Sequence, residues 1–298
     1  CFYCNSKIVT KDGIHGGIQR YKCASCGKRF KGGDRLNSQK IWEDYFGGKQ
    51  TYEQLAQKYG CSKKTIQRRI DTIKSERKTT FPSVVNVLMD TTYFGRKFGV
   101  MVFKDSFTGM ILYKQYVKQE TNGLYLAGIK EIIRRGIKIQ AIVCDGRRGL
   151  LQMFENIPVQ MCQFHQLAII RRYLTKNPKM LASKELWAFA QLLTTTDQES
   201  FEGGLNDWYN KWKDFLNERY IDNKGKKRYI HKRLRSGYRS LKNNLPWLFT
   251  WYKHIDLNIP NTTNGIDGSF ADLKNKLRNH NGLSLWRKMK FIDEFFKA

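Results

Sequence analysis

Two C-x-x-C knuckles at the head of the chain, Cys1-Phe-Tyr-Cys4 and Cys23-Ala-Ser-Cys26, dictate how the first 36 residues fold. The two-residue spacer lets both sulfurs of a knuckle turn toward one tetrahedral ion, and the second knuckle, 18 residues on, completes a Cys4 set suited to Zn²⁺. Residues 1–36 are poor in aliphatics and rich in Gly, Lys and Cys, so they lack a core of their own and the metal has to hold them. Tyr21 and Phe30 are natural packing partners across such a zinc ribbon. The cysteine total of seven is odd, which suits metal ligation in the cytosol better than a complete disulfide framework. His15 reads as a loop residue rather than as a substitute ligand.

The charge points to a polyanionic partner. Among 298 residues, 54 are Lys or Arg and 26 are Asp or Glu, a formal charge of +28. A hydrophobic share of 41% with 13% aromatics excludes a disordered basic tail, and the length predicts two or three domains. No apolar stretch approaches the roughly 18 to 20 residues of a membrane span and no signal-peptide pattern opens the chain, so membrane-spanning and secreted classes drop out. The first residue is Cys1 and not Met, from which a missing short leader is expected.

Residues 37–78 read as a helix-turn-helix DNA-binding domain. Ser38 is expected to cap a first helix through Ile41, Trp42, Tyr45 and Phe46, which Gly47-Gly48 ends. A short helix over 51–60 carries Leu55 and Ala56, Gly60 turns the chain, and Ser62 caps a helix from Lys63 to about Ile73 packed through Ile66 and Ile70. That last helix offers Lys63, Lys64, Gln67, Arg68 and Arg69 outward, residue types that bind phosphates or read base edges in a major groove. With 18 Lys or Arg against 7 Asp or Glu in residues 1–80, double-stranded DNA is favoured over a plain helical hairpin with a basic face. Lys74 to Pro82 reads as a polar linker.

From Ser83 the pattern changes to strands. Val84 to Asp90, Gly99 to Lys104 and Ile111 to Val117 are three strands, Asn122 to Arg135 a helix, Ile139 to Asp145 a strand, Arg148 to Glu155 a helix, and Val159 to Phe164 a fifth strand. The order βββαβαβ over 83–166 is that of a ribonuclease-H-like core with a mixed sheet. Residues 167–260 read as an all-helical insertion holding five of the seven tryptophans, and 261–298 as C-terminal helices completing the core. The whole is a multidomain α/β chain.

Asp90 and Asp145 end the first and fourth strands, which lie side by side in such a sheet. Hard carboxylate oxygens suit Mg²⁺ or Mn²⁺, and a metal pair about 3.5 to 4 Å apart activates an attacking oxygen and stabilises the leaving one at a phosphodiester. Strand-end aspartates also arise as loop caps. Cys162-Gln-Phe-His165 is half of a zinc site or a buried thiol and a satisfied histidine at a domain junction; the spacing leaves both open. In Asn261-Thr-Thr-Asn264-Gly-Ile-Asp267-Gly, Asn264 is expected to cap a helix with Asp267 at its third position. Asp267 is then either a capping carboxylate or a metal ligand on one face with the cations Lys274 and Arg278.

Asp90-Thr-Thr-Tyr-Phe, Cys144-Asp145-Gly, Cys162-x-x-His165 and Thr262-Thr-Asn264-x-x-Asp267-Gly, in this order along essentially the whole chain, resemble bacterial insertion-sequence transposases of the Mutator-like superfamily. The paired knuckles resemble the branch with an N-terminal zinc-binding domain. The resemblance implies a two-metal DDE transposase that binds the terminal inverted repeats of its element, cleaves DNA and transfers strands to a target. It further implies Asp90, Asp145 and Asp267 as the acid triad, with Asp at 267 where the family usually has Glu. Cys162 and His165 then lie beside the active site. A bacterial cytoplasmic, nucleoid-associated protein acting as a homodimer or higher multimer on DNA is expected. The rivals are a transposase-derived regulator that only binds DNA and a ribonuclease-H-like nuclease or resolvase without strand transfer.

Overall fold

The computed structural model describes residues 1, 3–31, 36–73, 80–96, 98–154 and 156–297. Most of the linker expected over 74–82, and Glu155 at the end of an expected helix, lie outside the described residues. The chain divides into two compact units, Cys1–Ser75 with Lys276–Phe291, and Glu76–Asn275 with Ile292–Ala298.

The first unit opens with a three-stranded antiparallel sheet, β1 (Val9–His15), β2 (Ile18–Cys23) and β3 (Arg29–Lys31). Tyr21 and Phe30 face each other in register and stack at 6.0 Å. Ile8, Ile14 and Ile18 are exposed, so apolar burial contributes little to this ribbon. Three helices follow, α1 (Ser38–Phe46), α2 (Tyr52–Lys58) and α3 (Lys63–Thr72). The first cap is Asn37 and not Ser38: the Asn37 side chain accepts from the Lys40 N–H, which leaves Ser38 as the first helical residue. Thr51 and Gln54 form a capping box on α2, and Ser62 caps α3 by accepting from the Thr65 N–H. Gly60 turns the chain between them at a φ of 57°, a left-handed conformation that glycine adopts without strain.

Two turns of a C-terminal helix, α11 (Leu285–Phe295), belong to this same unit, whereas the sequence reading placed all of 261–298 with the strand core. The physical reason is aromatic packing and charge. Phe291 lies 4.7 Å from Phe46 and 6.1 Å from Tyr45, His280 lies 4.2 Å from Tyr45 with its ring tilted, and Arg287 forms a two-pronged pair with Asp71 of α3.

The second unit is built on a five-stranded mixed sheet of β4 (Val84–Phe94), β5 (Phe98–Asp105), β6 (Ile111–Val117), β7 (Lys138–Cys144) and β8 (Val159–Met161), in the order β6-β5-β4-β7-β8. β5 runs antiparallel to β4 and β6, while β4, β7 and β8 are parallel. This order and polarity match the ribonuclease-H-like expectation. Alternate residues Val85, Val87 and Met89 of β4 enter the main core with Met101 and Phe103 under α4 (Asn122–Arg134). Gly128 of α4 lies against the Phe103 ring so closely that a Cβ there would sit 2.1 Å from it.

Three expectations need correction in this unit. β4 does not end at Asp90 but continues to Phe94, because its antiparallel ladder with β5 runs on after the parallel ladder with β7 stops at Leu88. No helix covers 148–154; a single 3-10 turn at Leu151–Met153 stands there, since Gly149 at a φ of 78° cannot continue a right-handed helix. β8 is only three residues long, and Gln163 already starts α5 (Gln163–Leu174), whose buried Gln166, Ile170 and Leu174 recur every four residues.

The insertion contains α6 (Leu181–Ala190), α7 (Gln198–Asn217), α8 (Lys232–Leu248) and α9 (Thr250–Lys253), but it is not all-helical. β9 (Arg219–Ile221) and β10 (Lys227–Tyr229) pair as a hairpin between α7 and α8. Asp222 makes that turn by accepting from the N–H groups of Lys224 and Lys226, and Gly225 supplies a φ of 73°. Trp208 is buried and donates its indole N–H to the Ala182 carbonyl, and Trp187, Trp212 and Trp247 pack on the same core. α8 and α9 return the chain to the sheet edge, where Gln160 and Gln163 donate to the Leu248 carbonyl and Thr250 donates to that of Val159.

Candidate active site and metal centres

In the ribbon, the four predicted cysteine sulfurs all lie within 4.8 Å of one another, with Cys1 and Cys26 at 3.6 Å and Cys4 and Cys23 at 3.5 Å. Sulfurs bound tetrahedrally at about 2.3 Å from one zinc ion stand about 3.8 Å apart, so the set fits Zn²⁺. Each knuckle closes on a left-handed residue just after its second cysteine, Asn5 at 53° and Gly27 at 68°. Hydrogen bonding from the Cys26 backbone favours the Cys23 thiolate and holds its pKa down to about 6, the state a zinc ligand needs.

The basic residues expected to meet DNA are carried on α3. Lys63, Lys64 and Arg68 are exposed, and Gln67 and Arg69 are half-buried. Lys63 pairs with Glu53 of α2.

The acid cluster forms on the sheet face that alternates away from the main core. Asn86, Leu88 and Asp90 share that face of β4, and it is covered by the segment leading into α10 (Asn264–Arg278). Asn86 donates to the Leu257 carbonyl, Lys104 of β5 donates to the Gly265 carbonyl and to Ser269, and Gly265 lies over Leu88. This covering brings Asp267 to Asp90. One ligand atom from each of Asp90, His165 and Asp267 lies within 4.8 Å of the other two, which makes a possible Asp-His-Asp metal site. Asp145 follows directly on β7, the neighbouring strand, but stands outside that tight group. Its carboxylate accepts from the Arg147 N–H at 3.2 Å.

Electrostatics mark the cluster as a place for a cation. Burial pushes the Asp90 carboxyl up to about 7, opposed by the Thr91 N–H and reinforced by the negative charges of Asp267 and Asp145. His165 is raised to about 9, chiefly by hydrogen bonding to Cys162 and further by Asp90 and Asp267. For Cys162, burial acts upward, but hydrogen bonds with His165 and Thr263 outweigh it and leave the thiol below its ordinary value. Two half-buried carboxylates that repel each other across a few ångströms fit a hard divalent ion between their oxygens.

The sequence reading missed the residue at the centre. Thr263 is fully buried, and its hydroxyl lies 3.1 Å from Asp267 Oδ2, 3.3 Å from Cys162 Sγ and 3.4 Å from His165 Nδ1. Its backbone N–H also donates to Cys162 Sγ. Helix α10 begins at Asn264, and the Thr263 carbonyl accepts from the N–H groups of Ile266 and Asp267. The residue before the helix is therefore Thr263 and not Asn264, and Asp267 sits at the fourth helical position, one past the capping-box place. Its carboxylate takes the Thr263 hydroxyl instead. A second support was equally silent: Arg147 bonds the Glu120 carbonyl, Glu120 accepts from Tyr125, and Tyr125 meets Thr91, whose N–H bonds Asp90. Lys274 and Arg278 both lie on α10, Lys274 in the second unit and Arg278 in the first.

No family model matches the chain, and no curated protein matches it. Among solved structures it is similar to the HTLV-2 integrase catalytic core domain in complex with magnesium, at 16% identity over 52% of this chain and 99% of that one, with a TM-score of 0.22. It is similar to a simian T-cell lymphotropic virus intasome in complex with the PP2A regulatory subunit B56 gamma, at 11% identity over 67% of this chain and 68% of that one, with a TM-score of 0.22. The Mos1 strand transfer complex gives 13% identity over 62% and 78%, with a TM-score of 0.21. Likenesses this small leave the reading of the chain to its own residues.

Proposed function

We propose that this protein is a DDE-type DNA transposase of the kind its motifs resemble, the Mutator-like bacterial insertion-sequence enzymes with a zinc ribbon. The observation that carries the reading is the meeting of Asp90 and Asp267, 177 positions apart in the chain, on one face of a mixed sheet whose adjacent strand is followed directly by Asp145. In this reading Asp90, Asp145 and Asp267 hold Mg²⁺ or Mn²⁺, which supplies charge stabilisation for the attacking and leaving oxygens of a phosphodiester. Asp90 and Asp267 present their oxygens from a strand and a helix that are fixed to each other through Lys104 and Gly265. Thr263 orients Asp267, and Cys162 with His165 closes the site behind it.

Lys63, Lys64, Gln67, Arg68 and Arg69 of α3 contact the terminal inverted repeats, with Lys274 and Arg278 as further phosphate contacts, and the enzyme works as a multimer on DNA. Zn²⁺ on the four cysteines keeps the ribbon folded. The test is incubation of the full chain with duplexes carrying candidate element ends and Mg²⁺ or Mn²⁺, followed by separation of nicked and joined strands. Nicking with joining is expected. Nicking alone would indicate a nuclease, and end binding without any nick would indicate a regulator; either would overturn the transposase.

A further inference from the structure

The densest positive charge lies away from the acid cluster, in the insertion. Residues 219–243 contain ten Lys or Arg and a single acid, Asp222. Asp222 is already neutralised by Arg228 at 2.9 Å. Along α8, Lys232, Arg239 and Lys242 are exposed, and among the described residues no acid pairs with any of them. They border two adjoining hollows of about 420 and 680 Å³ that share Arg235 and Arg239.

The walls are built to hold charge in place. Arg235 bonds the Leu216 carbonyl and the Asn217 side chain and lies 3.7 Å over the Tyr229 ring, whose hydroxyl accepts from Arg219. On the floor, buried Tyr238 stacks on Trp208 and on Tyr209 and turns its hydroxyl toward the Lys242 ammonium. The faces of Tyr229 are taken up by Arg219 and Arg235, and Tyr209 and Tyr238 stack on each other, so these rings position cations, whereas Tyr220 on the hairpin is exposed. Arg235 and Arg239 stand one helical turn apart, about 6 Å along the axis, a step comparable to that between successive phosphates of one strand.

We propose that the groove between α8 and the β9–β10 hairpin binds the sugar–phosphate backbone of nucleic acid without reading its sequence. This deepens the transposase reading by giving the insertion a DNA contact of its own, separate from α3 and from the acids. Both single-stranded and duplex DNA offer the same phosphodiester chemistry.

The test is lysine acetylation of the full chain, read by mass spectrometry without added Mg²⁺ or Mn²⁺, in the presence and absence of a 30-nucleotide single strand or a 30-base-pair duplex of unrelated sequence. Lys232 and Lys242 should become several-fold less reactive with at least one of the two, and which one names the source. The double variant Arg239→Glu, Lys242→Glu should then lower the slope of log affinity against log salt by about 1.4 for the single strand or about 1.8 for the duplex, two phosphate contacts in either case. Arg239→Gln with Lys242→Gln provides the milder version if the charge reversal disturbs folding. Unchanged Lys232 and Lys242 at saturating DNA, or an unchanged salt slope in the folded variants, would overturn the proposal. Since nothing is cleaved in this experiment, protection in a protein that cannot cut DNA would refute the catalytic reading and leave the groove standing.

Discussion

Thr263 shows how much rests on single side chains here. A hydroxyl has one proton to give, yet a carboxylate, a sulfur and an imidazole nitrogen all lie within 3.4 Å of it. Thr263→Ser should retain activity, whereas Thr263→Val, matched in shape but without the hydroxyl, should lose about 10 to 100-fold in cleavage, as buried partners of metal ligands commonly do. Equal rates for Val and Ser would remove Thr263 from the machinery. Among the acids, Asp90→Asn, Asp145→Asn and Asp267→Asn should each reduce strand cleavage by orders of magnitude while DNA binding, followed by gel shift, persists. Near-normal cleavage by any of them would strike that residue from the site. Asp267→Asn is informative because the carboxylate makes no capping box, so loss of activity there does not report loss of a helix cap.

The same residues predict a pH dependence. Asp90 ionises near 3.8 when unfolded and near 7 when folded, so the folded state holds the extra proton between those values and stability falls as pH rises through the window, by on the order of a few kcal/mol. His165, raised to about 9, adds stability that is complete below about 6.5 and is lost as pH climbs through 9, and the lowered Cys162 thiol of the same pair opposes it by adding stability as pH rises. Without added Mg²⁺, thermal melting of the second unit should therefore come at lower temperature at pH 8.5 than at pH 5.5, whereas the lowered Cys23 thiol acts in the opposite sense in the ribbon. Asp90→Asn should flatten the difference, and Mg²⁺ should stabilise more at the higher pH. A melting temperature that rises from pH 5.5 to 8.5 would contradict this account.

At the scale of elements, the strands of the ribbon bury so little that a metal on the four cysteines is expected to hold it. A tight chelator should release one Zn²⁺ per chain and collapse the β1–β3 amide protection, while the five-stranded sheet stays protected; hydrogen exchange read by mass spectrometry separates the two. A ribbon that remains protected without zinc would mean that Tyr21, Phe30 and their neighbours suffice. On α3, replacing Arg68 or Lys64 by Ala should weaken DNA binding and its salt dependence together, by about one counterion each. No change in either quantity would take α3 out of the interface.

For the whole molecule, the first unit is discontinuous, and this bears on any attempt to isolate it. Residues 1–75 alone would lose the Phe291 and His280 packing on Tyr45 and the two-pronged Arg287 bond to Asp71. In the full chain, Phe291→Ala should cost this unit about 3 to 5 kcal/mol, the range for a buried ring, and should show as early proteolysis within α1–α3. A cut rate equal to that of the unchanged protein would show that the last helix adds nothing to this unit.

Short-range chemistry was readable from the sequence. The knuckle spacing, the Ser62 cap, the β-branched run of β4 and the hairpin order of β5 and β6 all depend on neighbours a few residues away, and periodicity exposes such patterns. Asp145 was legible as a carboxylate just past a strand and Asp267 as one in the first turns of a helix, whereas Asp90 lies inside β4, which runs on to Phe94. What the tertiary structure alone decided is which groups share a space. That Asp267 stands with Asp90 and His165 while Asp145 stays outside follows from how the 257–270 segment covers one face of the sheet. The role of Thr263 follows from burial, which no spacing reveals for an ordinary threonine. The cut of the chain at Lys276 is of the same kind: α11 is a short amphipathic helix wherever it lies, and the rings of Tyr45 and Phe46 together with Asp71 determine which core receives its first two turns.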